Sequence, residues 1–239
     1  MEEQTVLPYL EPTPLLDYTH PDIQQLITSK GWDTIKTKTD LIGEVYSFVR
    51  DEIAYGYTKS FSIPASQILA KGYGNCITKS TLLMALLRAV GVPCRFNAMT
   101  ISKVIFRGLL PGLSYKMAIK PLYHAWVEVK FNNKWLAMEG HIVDRPYIAK
   151  LQTKFPSYMG SFYGYGIAVL NFRNPDNRWS ENNTYVQNQA IEEELGVFDT
   201  PDAFFSQYPA ADAYTQSLRY RAIIRGRLNK SIRAVRSSR

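Results

Sequence analysis

Apolar residues recur at helical spacing in two stretches. From Asp40, a candidate N-cap, the run LIGEVYSFVRDEI places Leu41, Val45, Phe48, Val49 and Ile53 on one stripe and predicts a helix. The run CITKSTLLMALLRAVG is the clearest helix in the chain: Ile77, Leu83, Leu86, Leu87 and Val90 form a core face, Gly91 is a natural stop and Pro93 bars continuation. A weaker helical pattern in IQQLITSKGW ends at Gly31. Period-two alternation marks strands in CRFNAMTIS, YHAWVEVKF and KWLAMEG, the last two joined at Asn132-Asn133 as a hairpin. Residues 1 to about 21 read as an extended, proline-punctuated arm, and 55–64 as a loop or short strand before a helical turn at SQILA. A glycine- and proline-containing connection fills roughly 103–121. The stretch 146–212, rich in Tyr, Asn and Pro, predicts few elements, and a further helix starts near Asp212 with Tyr214, Leu218, Leu228, Ile232 and Val235 at helical spacing.

Composition adds bounds. The 239 residues, 46% hydrophobic and 21% charged, are those of an ordinary folded, soluble protein. The net charge of +7 is concentrated: seven Arg and one Lys lie between Arg219 and Arg239 with no acid, leaving 20 of the 28 basic residues against 21 acids elsewhere. The basic balance therefore describes a C-terminal helix or tail, 213–239, set beside a single domain, 1–212. A solvated helix accounts for such a tail; an anionic surface, nucleic acid or an acidic partner would also fit it. The N-terminal residues lack a basic segment followed by an apolar core, so no signal peptide is expected. The most apolar stretch, Thr81 to Val90, is too short to span a bilayer. With only Cys76 and Cys94, no disulfide framework is needed, and a reducing cytoplasm is the default compartment.

Candidate chemistry centres on Cys76. It follows a Gly-Tyr-Gly-Asn turn and opens the strongest helix, where unpaired backbone N–H groups and the helix dipole favour an anion. The same N–H groups suit an oxyanion formed when a thiolate attacks a carbonyl. A small apolar residue starting a core helix would look alike. His124 is the candidate general base, because a strand holds a ring rigidly. Alternation puts His124, Trp126 and Glu128 on one face and Ala125, Val127 and Val129 on the other; an exposed sheet face would show the same pattern. A base needs a third group to orient it, and the partner strand leads to Glu139 and then Asp144. Gln67 and Tyr73 are candidate upstream oxyanion donors, whereas Cys94 reads as a core thiol. His20 and His141 have no assigned role. The set His124, His141 and Asp144 lacks compact ligand spacing, so no metal is expected, nor any cofactor.

The run GYGNCITKSTLLMALLRAVGVPCR, then HAWVEV, then Trp135 with an acid four residues on, resembles the transglutaminase-like domain, a relative of papain-like thiol enzymes. The resemblance covers roughly Asp40 to Asp144. It implies an α+β fold in which a helix bearing the Cys packs on an antiparallel sheet bearing the His and the acid. It implies Cys76 as nucleophile, His124 as general base and, where the family usually has Asp, Glu139 as orienter, with Asp144 as the substitute. The implied substrate is a peptide, amide or other acyl compound, attacked to give a thioacyl-enzyme that water or an amine resolves, as in a cysteine peptidase, amidase or transamidase. No calcium-loop pattern is present. A non-catalytic binding module of the same fold and an N-acyltransferase using a thioester donor are the alternatives.

Overall fold

The computed structural model describes residues 7–118 and 120–238. Helix α1 (Pro21–Lys30) ends at Gly31, whose φ of 66° supplies the left-handed cap. Helix α2 (Lys38–Asp51) starts two residues before the expected Asp40: Thr37 is the cap, its side chain accepting the Asp40 N–H, and Asp40 falls in the first turn. Two-residue strand β1 (Ala54–Tyr55) pairs in parallel with β2 (Tyr73–Gly74), across helix α3 (Ala65–Lys71). The glycine turn before Cys76 is thus anchored to a second segment.

Helix α4 (Cys76–Ala89) is the centre of the molecule. Asn75 caps it through a reciprocal box with Thr78, and the chain turns away at Gly91 with φ 76°. The sequence pattern predicts one apolar stripe, yet twelve consecutive residues, Ile77 to Arg88, are buried. Polar groups among them find internal partners, Arg88 Nε excepted: Lys79 Nζ donates to Arg50 O (3.0 Å) and Ile53 O (2.7 Å), taking up carbonyls at the end of α2.

Strand β3 (Cys94–Ile101) is followed by short helix α5 (Gly112–Met117), then β4 (Leu122–Phe131) and β5 (Lys134–Ala137). Asn132 and Asn133 both adopt positive φ, 46° and 60°, as a tight two-residue hairpin requires. After helix α6 (Arg145–Lys154) come β6 (Phe162–Gly164), β7 (Ile167–Val169) and β8 (Ile191–Phe198), then α7 (Pro201–Gln207), α8 (Ala210–Gln216), a π-helical turn at 220–224 and α9 (Arg225–Arg236). The main sheet is antiparallel in the order β5-β4-β3-β8. Cys94, Phe96 and Ala98 pair with Val129, Val127 and Ala125 across β3 and β4, and all six are fully buried in the core that contains α4.

The C-terminal basic segment is part of this core and not an appended tail. Leu228, Ile232 and Val235 of α9 are buried with Tyr220 and Ile224 of the preceding turn, while the arginines lie around them. Polar contacts fasten it. Asn229 bonds both the N–H and the C=O of Tyr57 (2.8 and 2.9 Å), and Tyr220 Oη donates to Thr58 O at 2.8 Å. On α8, Asp212 accepts the N–H groups of Phe61 and Ser62 and the Ser60 hydroxyl.

Candidate active site

Cys76 occupies the first position of α4 because Asn75 commits its side chain to the cap, and Gly74 lets the incoming strand lie against the helix. A Cβ on Gly74 would stand 2.6 Å from Thr78 Oγ1 and 3.0 Å from Lys79 Cγ. The Cys76 thiol is partly exposed, whereas Cys94 is fully buried. Burial pushes the Cys94 thiol up to about 11, while the nearby Arg88 pulls the other way. The two cysteines therefore differ in access as the sequence predicts.

His124 is fully buried on β4. Its Nε2 donates to Glu139 Oε1 at 2.8 Å, and its Nδ1 is buried with no hydrogen-bond partner of good geometry. Burial works against the imidazolium, but Cys76, by charge and by side-chain contact, and then Glu139 outweigh it. The pKa is raised to about 9. The cationic ring thus sits between a sulfur and a carboxylate. The other residues of its alternation set have different tasks: Trp126 packs with Met99 and Ala137, and Glu128 is tied to Arg95 (2.6 Å) and Asn97 (2.9 Å).

Glu139 lies one residue beyond Met138, in the 3-10 turn that follows β5. Its Oε2 accepts three successive backbone N–H groups, those of Val186, Gln187 and Asn188, at 2.9, 3.0 and 2.9 Å. Such a concave run of amides is an anion cradle. The cradle is brought there by Thr184, which bridges to Met138 and accepts the N–H groups of Glu139 and Gly140. Gly140 permits the close approach: a Cβ there would lie 2.5 Å from Tyr46 Oη and 2.7 Å from Asn177 Cα. Nothing in the sequence flags 186–188, since any residue can supply an N–H.

The other candidates fall elsewhere. Asp144 does not meet His124: it caps α6 through the Tyr147 N–H, accepts the Tyr55 N–H at 2.9 Å and pairs with Arg236 at 2.5 Å. Gln67 is exposed on α3, where the helix turns it to solvent, and it does not line the Cys76 pocket. Tyr73 lies against Gly56, outside that lining too. His141 is buried away from the thiol, with Nε2 3.3 Å from Ser80 Oγ and Nδ1 bonded to Met138 O. Among the described residues no group of three or more His, Cys, Asp or Glu side chains is placed to hold a metal ion.

The pocket at Cys76 contains two residues that sequence reasoning missed, Tyr55 and Tyr57. Their hydroxyls bond each other at 2.9 Å, and burial raises both pKa values, so the pocket presents neutral phenols.

Residues 27–140 match the sequence profile of the transglutaminase-like superfamily, a span that contains Cys76, His124 and Glu139. This segment is a transglutaminase-like domain. No curated protein matches the chain. Among solved structures, the chain is similar to one described as a "putative cysteine protease" from Cytophaga hutchinsonii, with 14% identity, a TM-score of 0.48, 83% of this chain covered and 48% of that one. The chain spans about half the length of that protein. The matched span thus begins within α1 and stops one residue past Glu139, while the Glu139 cradle and part of the pocket lining come from beyond it. No described helix is long and apolar enough to cross a membrane.

Proposed function

We propose that the protein is a thiol enzyme that acts on an amide or other acyl carbonyl through a thioacyl-enzyme, as a cysteine peptidase, amidase or transamidase. The observation that carries this reading is the buried His124 ring, bonded through Nε2 to a cradled Glu139 and neighboured by Cys76, which raises its pKa. In this scheme the Cys76 sulfur attacks the carbonyl carbon, and the carbonyl oxygen takes the negative charge. The N–H at the start of α4, which has no partner within the helix, is the donor available to it. The tetrahedral adduct expels the amine, which takes its proton from His124 Nδ1, leaving a thioester on Cys76. His124 then removes a proton from water or from an acceptor amine, whose attack frees the acid or the new amide and restores the thiol. Glu139 holds Nε2–H so that Nδ1 faces the sulfur throughout.

The test is alkylation by iodoacetamide near neutral pH, with the modified residue located by mass spectrometry. Cys76 should react far faster than Cys94, and Cys76→Ala should abolish both the modification and any amide turnover. Equal reactivity of the two thiols would overturn the proposal.

A further inference from the structure

The pocket beside Cys76 is walled by Phe61, Ile101, Phe106, Leu122, Ile224 and Leu228, among others, and among the described residues no Asp, Glu, Lys, Arg or His lines it. An acidic or basic group entering it would be buried without a partner, at a large desolvation cost. Its polar features are few. Tyr55 and Tyr57 bond each other, and Gln187 donates its Nε2 to Gly166 O at 2.5 Å. Gln187 is 1% exposed and its side chain also lies against the Tyr55 hydroxyl, yet its Oε1 accepts no hydrogen bond. A buried amide oxygen without a donor, in an otherwise apolar slot, fits an N–H brought by a ligand.

The lining includes Cys76 but neither His124 nor Glu139. Leu122 and Tyr123, just before His124 on β4, and Gln187 of the Glu139 cradle line it as well. An amine that takes its proton from His124 must lie at the ring, which does not itself line the pocket, so the acyl portion is the part left to enter it. We infer that this pocket is the subsite for an uncharged aliphatic or aromatic side chain on the acyl side of the attacked bond, with Gln187 Oε1 receiving that residue's N–H. The inference rests on the thiol-enzyme reading and narrows its substrate to acyl groups with an apolar residue next to the carbonyl. The far wall is formed by residues beyond the transglutaminase-like segment. Ala211, Ile224 and Leu228 are held in place by the Asp212, Tyr220 and Asn229 bonds to residues 57–62. The selectivity of the slot therefore belongs to the C-terminal segment.

The experiment compares chloromethyl ketones of N-acetylglycine, N-acetylleucine, N-acetylphenylalanine and N-acetylaspartate as inactivators of the full chain. The sulfur displaces chloride from the methylene carbon, and the proton that left the thiol stays on His124. Each rate is divided by that of the same reagent with glutathione, and iodoacetamide serves as a small neutral reference. The leucine or phenylalanine reagent should inactivate at least tenfold faster than the glycine one, and the aspartate reagent more slowly. In Leu228→Ala the leucine-to-glycine ratio should fall at least threefold. If glycine matches both apolar reagents while iodoacetamide still modifies Cys76 rapidly, the subsite is wrong and the thiol-enzyme reading stands. If iodoacetamide modifies Cys76 no faster than Cys94, that reading fails and takes the subsite with it. The wild-type series decides the matter even where a pocket variant does not fold.

Discussion

Glu139 holds His124 with one carboxylate oxygen, at 2.8 Å, and spends the other on three consecutive backbone N–H groups of residues 186–188. Both oxygens face donors only. Glu139→Gln must therefore turn its NH₂ either toward the amide cradle or toward His124 Nε2–H. The first opposes donors to donors, and the second forces the ring into the wrong tautomer. Amide turnover should fall by about 10³–10⁴-fold, the scale seen when a triad acid becomes its amide. Steady-state kinetics on any substrate found by screening reads this out, and a loss below tenfold would remove Glu139 from the mechanism.

The charge on His124 gives a second expectation. Burial opposes it, but Cys76 and Glu139 raise its pKa to about 9 from an ordinary 6.5. A group whose pKa is higher in the folded state adds stability that is full below pH 6.5 and lost as pH rises through 9. The His124 ring resonances should titrate near pH 9, and lower in Cys76→Ala, which removes the sulfur's charge. Over the same interval Tm should decline, less steeply in the variant. An unchanged midpoint in Cys76→Ala would separate the two residues electrostatically.

His141 behaves in the opposite sense. Burial, helped by the charges of Lys79 and His124, drops its pKa to about 3 against the favourable Met138 carbonyl. A neutral buried histidine contributes stability that is present above pH 6.5 and lost as pH falls toward 3. Urea midpoints should thus decline through this acid window. The decline should be shallower in His141→Gln, whose side chain cannot take up a proton. The same slope in both proteins would assign acid sensitivity to other groups.

Arg236 supplies a fourth test, this time of the C-terminal helix. Its guanidinium reaches Asp144, whose side chain is 2% exposed and which also caps α6 and accepts the Tyr55 N–H. Arg236→Ala strands that carboxylate without its counter-charge. Because the arginine itself is partly exposed, a loss of about 1–3 kcal/mol is expected, below the range for a wholly buried pair. Chemical denaturation measures it. The companion change Asp144→Asn should restore part of the loss, since an amide needs no counter-ion.

The core of the fold was readable because local pattern and tertiary role agree there. Helix α4, strands β3 and β4 and the Asn132-Asn133 hairpin carry strong periodicity or turn chemistry, and Cys76, His124 and Glu139 sit on or next to them. What escaped reading depends on backbone or on distant partners. Strand β8, with Glu192, Glu193 and Glu194 in succession, shows no alternation because it is an exposed edge strand. The sequence offers Asp144 as a substitute for Glu139, and the partners that hold it elsewhere, the Tyr55 and Tyr147 N–H groups and Arg236, 92 residues further on, are not visible in any local pattern. The C-terminal segment shows its helical stripe of Leu228, Ile232 and Val235 in sequence, but nothing local says that this stripe packs into the core and not against solvent.

The Asn229 clasp on Tyr57 joins residues 172 positions apart, and the Glu139 cradle spans 47 to 49 positions. On a ribosome these partners emerge in order. A nascent chain has Cys76 and His124 outside the exit tunnel well before residues 186–188 can orient the ring, and longer still before α9 closes the slot. Synthesis itself therefore withholds the finished Cys76, His124 and Glu139 arrangement until the protein can fold around it.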